Sequence, residues 1–228
     1  MLLNFASLAN RTRSIDSNII NVQVSSFLPV FKVHADRLSL SPYLKEQLEE
    51  QRERSVLKLS RSTDLVELEI YIYFLYTGTL ATDTADPSRI SIALRTETAL
   101  LGKLYKFGMR MEDPVFRNAV LDGIIDISRL KDKDTGVPYL PDAGIFSDLK
   151  TDPPAKRCII DLYVHFLDPA DPAIDLTANI HSMREVFKAT LHKSDVKSEH
   201  GNFRRQNLRK CDYHEHEDGV RCDSGEEK

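Results

Sequence analysis

An α+β fold is predicted for this 228-residue chain by three observations. Short stretches alternate apolar and polar residues with a period of two, around Ile20–Val24, Phe31–Val33 and Leu57–Leu59, as half-buried strands do. Longer stretches repeat apolar residues every three or four positions, the spacing of a helix with one inward face. Several of these open or close on residues suited to helix ends: Ser41-Pro42 and Asp113-Pro114 at starts, Gly78 at a stop.

Residues 1 to 17 show no sustained periodicity and read as a frayed or partly helical lead-in. Ile20, Val22 and Val24 then alternate with Asn21 and Gln23, predicting a strand that pairs with the one ending at Val33. Between them lies Ser25-Ser26-Phe27-Leu28-Pro29. Pro29 has no N–H for a ladder, so its strand is expected at a sheet edge or beginning just after it. Ser41 offers a hydroxyl to an orphan N–H, and Pro42 presets φ for the first helical position. Leu44 and Leu48 give that helix its inward stripe, with Lys45, Glu46, Glu49 and Glu50 on the other side. Leu57 and Leu59 flank Lys58 as a strand would place them.

Asp64, with Glu67 three residues on, suits a capping-box start. Leu65, Leu68, Ile72 and Leu75 keep helical spacing to Gly78, where a left-handed stop is least costly. Residues 81 to 89 are polar and read as a loop. A helix near Ile92 to Met111 then puts Leu94, Leu101, Leu104, Gly108 and Met111 on one seam. The next, opened by Asp113-Pro114, puts Phe116, Ala119, Val120, Ile124 and Ile127 on one face. Beyond Ser128 the composition shifts: Lys131 to Thr135 is charged, and Pro138, Pro141, Pro153 and Pro154 break the chain into short pieces. A helix is expected from Lys156 with Ile159, Leu162, Tyr163 and Phe166 inward, and another over Met183 to Leu191. From Lys193 onward polar residues dominate, and mostly disorder is expected, interrupted at most by a small local structure.

Phe31, Val33 and His34, then Leu38, Ser41, Tyr43 and Leu44, then Tyr76, Thr77, Gly78 and Leu80 stand in an order that resembles a BTB/POZ domain. That family carries a Phe-x-Val-His strand end, a Leu four residues after the His, a Ser-x-Tyr/Phe-Phe/Leu helix start and a Tyr-Thr-Gly-x-Leu turn. Leu104-Tyr105 through Phe116-Arg117-Asn118-Ala119-Val120 is similar to the last two helices of fungal members. The segment around Asp161-Leu162-Tyr163-Val164-His165 resembles their helical extension. The chain departs from the family in lacking a polar, Gly-containing hairpin before Pro29. The resemblance implies a small sheet flanked by helices over residues 18–128, a helical extension over 129–192 and a polar tail over 193–228. It implies a homodimer formed through the first strand and first helices, and recruitment of other proteins. Some members are adaptors that bring substrates to cullin-based ubiquitin ligases, others transcriptional regulators or channel assembly domains. No adaptor's substrate module, such as kelch repeats, is visible. Phe27, Leu28 and Val30 are the candidates for an apolar partner surface.

A formal net charge of −4 gives no general attraction to phosphate backbones or anionic lipid, so nucleic acid and membrane partners are not expected. Three irregularly spaced cysteines argue for a reducing compartment, cytoplasmic or nuclear. The start, Met1 to Ala9, has no basic region and is broken by Asn4, unlike a signal peptide. No apolar run approaches a membrane span in length. Neither a phosphate-binding glycine loop, a nucleophile elbow nor His-Glu-x-x-His occurs, and no catalysis and no cofactor are expected. His34 reads as a core imidazole at a strand end, and Cys158 as a packed thiol.

A second functional reading rests on the tail. Cys211, His214, His216 and Cys222 supply the donors of a tetrahedral zinc site, with both imidazoles on one side of an extended segment, although their spacing matches no common zinc module. Arg204, Arg205, Arg209 and Lys210 form a basic cluster, among the acidic residues Glu199, Asp212, Glu215, Glu217 and Asp218. Together they would suit a metal-binding nuclear regulator. The simpler reading of the same stretch is a solvated polar tail.

Overall fold

The computed structural model describes residues 18–24, 29–51, 56–60, 63–81, 91–131, 136, 138–141, 154–166 and 210–216. The expected lead-in before residue 18, Phe27 and Leu28, most of the 81–89 loop, the 183–191 helix, Arg204, Arg205, Arg209 and Cys222 lie outside them. The chain forms two compact units, Met1–Leu65 and Val66–Lys228. Its class is α+β, with one small sheet and about six helices among the described residues.

In the first unit, β1 (Ile19–Gln23) and β2 (Val30–His34) pair antiparallel, Ile20 opposite Val33 and Val22 opposite Phe31. A third strand, β3 (Val56–Lys58), joins β1 in parallel, so the order is β2-β1-β3 with β1 central. The pairing of β1 with β2 is as the alternation predicts, and β2 starts directly after Pro29 at an edge among the described residues, as the missing N–H of Pro29 predicts. The parallel partner of β1 is a matter of topology that no local pattern encodes. Val22, Val33 and Leu57 are buried and Lys58 and Lys32 exposed, so one face of the sheet is dry.

His34 ends β2 and is half-buried, less enclosed than a core imidazole. It precedes the single turn α1 (Ala35–Leu38), which buries Leu38. Helix α2 (Pro42–Glu50) begins as its sequence dictates: Ser41 accepts the Leu44 N–H at 3.3 Å and Pro42 occupies the first turn. Leu44 is fully buried while Leu48 is only partly covered.

The second unit takes in α3 (Leu65–Thr77) from Val66 on, a helix apolar on nearly all sides and buried at Leu68, Ile70, Tyr71, Ile72, Phe74 and Leu75. Gly78 stops it at φ 67°, with its N–H on the Phe74 carbonyl. Glu67 is engaged by Arg110 at 2.8 Å, a longer-range partner than the capping box offers. Helices α4 (Ser91–Arg110) and α5 (Pro114–Ser128) form an antiparallel pair through a tight turn. There the Asp113 N–H reaches the Gly108 carbonyl and the Glu112 N–H the Met109 carbonyl, around Glu112 at φ 52°. That is the Schellman pattern, with glutamate where glycine is usual.

Asp113 caps α5 by accepting the Phe116 N–H at 2.9 Å, and its other oxygen accepts the Tyr71 hydroxyl at 2.8 Å. Tyr71, Phe74, Phe107 and Phe116 form an aromatic cluster, with Tyr71 and Phe116 edge-to-face at 4.8 Å. Leu121 and Ile125 are buried beside the predicted face of α5, because this helix is covered on more than one side. Helix α6 (Pro154–Phe166) buries Ala155, Cys158, Ile159 and Leu162. Tyr163 and Phe166, expected inward, are half-buried, and the Tyr163 hydroxyl donates to the Pro141 carbonyl at 2.7 Å. The inward stripe is thus rotated toward Ala155 and Cys158.

Candidate functional site

Two features stand out, one in each unit. In the first, no strand pairs with the outer edge of β2 among the described residues, and Val30 on that edge is 48% exposed. Ile19 and Leu40 are exposed as well. Next to these elements lies an open depression of about 340 Å³ lined by Ile20, Ala35, Lys45, Leu48, Glu49 and Leu57, among others. It mixes aliphatic, polar and charged groups.

In the second unit, α5 carries a polar stripe that α4 does not cover. Asn118, Asp122 and Asp126 follow one another at intervals of four, which puts them in a row about 12 Å long. Against this row lies the 210–216 segment, which opens as a 3₁₀ turn, Lys210–Tyr213. Lys210 Nζ sits 2.8 Å from Asp126, and His214 Nε2 sits 2.8 Å from Asp122. At the far end Asn118 pairs with both main-chain groups of Glu215: its Nδ2 donates to the carbonyl at 3.0 Å and its Oδ1 accepts the N–H at 2.9 Å. The Glu215 carboxylate meets the Arg117 guanidinium. The segment therefore runs antiparallel to α5.

Tyr213 is the anchor. It is only 6% exposed, and its hydroxyl donates to Asp161 of α6 at 3.1 Å. Burial, with the Asp161 carboxylate next, pushes its phenol well above the usual tyrosine range. Burial likewise raises Tyr105 to about 12, with Glu215 adding to the effect. Burial pushes the Cys158 thiol far up, which keeps it protonated and unreactive, as the sequence suggests for a packed cysteine.

Gly108 makes room for this arrangement, since a Cβ there would lie 2.9 Å from Arg117 Cγ and 2.9 Å from Phe116 Cδ1.

The tail donors are brought together only in part. Cys211 Sγ lies 3.4 Å from His216 Nε2, near the spacing of two ligands on one tetrahedral zinc. His214 is 5.9 Å from His216 between ring centres and turned to Asp122. Among the described residues no group of three metal-capable side chains converges. Lys210 and Glu215, read from sequence as solvated charges, are instead docked on α5. The stripe on α5 was visible as spacing, but its complement lay some ninety residues away, beyond any local pattern.

Among the described residues no helix is long and apolar enough to cross a membrane. Compared with protein-family models and with curated proteins, the sequence matches none.

Proposed function

We propose that this chain is a non-enzymatic protein–protein interaction module of the BTB/POZ type, which homodimerises through its first strand and first helices and recruits other proteins. One observation carries the reading. The family-like residues occupy the elements that the resemblance assigns them: Phe31 to His34 a strand end, Ser41 and Pro42 a capped helix start, Gly78 a left-handed helix stop. The edge of β2, unpaired among the described residues, supports the dimer, because such an edge with an exposed Val30 offers main-chain hydrogen bonds and apolar area to a second copy. Cullin binding, in an adaptor role for a ubiquitin ligase, is the narrower form of the same reading.

Sedimentation at micromolar concentration tests the dimer. The chain is expected to sediment as a dimer, and a Val30→Asp variant as a folded monomer. A wild-type chain that stays monomeric overturns the proposal. The reading also requires the two units to act as one module, since the strand ending at His34 lies in the first and Gly78 in the second.

A second reading, a metal-binding regulator, draws on the Cys211 and His216 contact. On that reading, stoichiometric zinc survives dialysis and is lost from the Cys211→Ser, Cys222→Ser variant. Wild-type protein that retains no metal ends it.

A further inference from the structure

We infer that the α5–α6 face holding residues 210–216 is a docking site for a short peptide of a partner protein, and that the chain's own segment occupies it in competition. The contacts are of a recognising kind. Asn118 reads main chain at Glu215, which is independent of side-chain identity. One aromatic anchor, Tyr213, is buried against α6, and the remaining side-chain contacts are the ion pairs of Lys210 with Asp126 and Glu215 with Arg117 and the contact of His214 Nε2 with Asp122. Such contacts fix direction and register.

The face is bipolar: Asp126 and Asp122 stand at one end, Arg117 at the other. It therefore selects a cation three residues before the tyrosine and a carboxylate two residues after it, as Lys210, Tyr213 and Glu215 provide. A partner peptide with this order of groups meets the Lys210, Tyr213 and Glu215 contacts that the chain's own segment makes, leaving only the His214 contact with Asp122 unmatched. The site uses neither the β2 edge nor the dimer proposed above, and stands or falls separately.

The probe is a fluorescein-labelled synthetic peptide of the sequence Lys210–His216, titrated against the full chain by fluorescence anisotropy. Self-occupancy lowers the apparent affinity in proportion to the open fraction of the site. The Tyr213→Ala, Glu215→Ala chain is therefore expected to bind the probe about tenfold or more tightly than wild type. Adding Asn118→Ala to that chain is expected to abolish the gain. An Arg117→Glu chain is expected to prefer a probe carrying arginine in place of the glutamate. Equal binding by wild type and the Tyr213→Ala, Glu215→Ala chain, or none by either, overturns the proposal.

Should that variant unfold, the wild-type chain decides. Millimolar unlabelled peptide is expected to strip amide-exchange protection from Glu215 while α4 and α5 keep theirs. Protection unchanged at saturation overturns the proposal, as does a wild-type chain that associates through this segment with a second copy, which sedimentation with and without the peptide reveals.

Discussion

The first unit is held by aliphatic side chains under a three-stranded sheet whose β2 edge is unpaired among the described residues, whereas the second is built on an aromatic cluster and covers the polar stripe of its helix α5. Val22, Val33, Leu38, Leu44 and Leu57 make up most of the first core, and Val30, Ile19 and Leu40 remain outside it. In the second, Tyr71, Phe107 and Phe116 interlock, Asp113 ties α3 to the start of α5, and residues 210–216 lie over the stripe of Asn118, Asp122 and Asp126. The difference teaches where each unit has unspent binding capacity. A three-stranded sheet with an open edge is complete only when something pairs with it. A helical unit that brings its own peptide can exchange it for another.

The sharpest way to break this contrast is to excavate each core in turn. Phe116→Ala is expected to destabilise by about 3–5 kcal/mol and Leu44→Ala by about 2–5 kcal/mol. If the two units are one module, both substitutions lower the midpoint of a single calorimetric transition. Two transitions, each moved by one substitution alone, would separate the units and remove the basis of the BTB/POZ reading.

Asp113→Ala comes next. It removes the cap on the Phe116 N–H and the acceptor of the Tyr71 hydroxyl together, a loss of about 2–3 kcal/mol. Asp113→Asn retains a capping oxygen and is expected to lose about half as much in urea denaturation.

Alkaline pH probes the second unit through Tyr105, whose phenol is held up at about 12 by burial. An unfolded tyrosine ionises near pH ~10. Below that both states are protonated and the stability is fully present; above it the unfolded chain gains by releasing its proton while the folded one does not. Stability should therefore fall as pH rises from ~10 toward the folded value. Tyr105→Phe is expected to flatten this part of the denaturation-against-pH curve.

The smallest effect runs the other way. Glu112 sits at φ 52° in the turn between α4 and α5, where a side chain is strained and glycine is not. Glu112→Gly is expected to stabilise the chain by roughly 1 kcal/mol, read as a raised thermal midpoint.

Much of the local structure was legible because its causes are local. Ser41-Pro42, Asp113-Pro114 and Gly78 act within one helical turn of themselves, and the helices begin and end where these residues stand. The seam of α4 at Leu101, Leu104 and Met111 follows from periodicity alone. Where the reading slipped, the cause lay elsewhere in the chain. Glu67 meets Arg110, more than forty residues on, and Tyr163 and Phe166 of α6 are only half-buried, with Tyr163 reaching sideways to Pro141. His34 was left half-covered.

Alternation, caps and stops determined, without any coordinates, that this chain is α+β, that helices begin at Ser41-Pro42 and Asp113-Pro114 and that β1 pairs with β2. Tertiary structure alone decided that β3 lies parallel to β1 and that a tail rich in charge docks on α5. Local order depends on dihedral preference and hydrogen bonds that span a few residues. The pairing of Lys210 with Asp126, or of Glu215 with Asn118, depends on surfaces that exist only after the helices have packed.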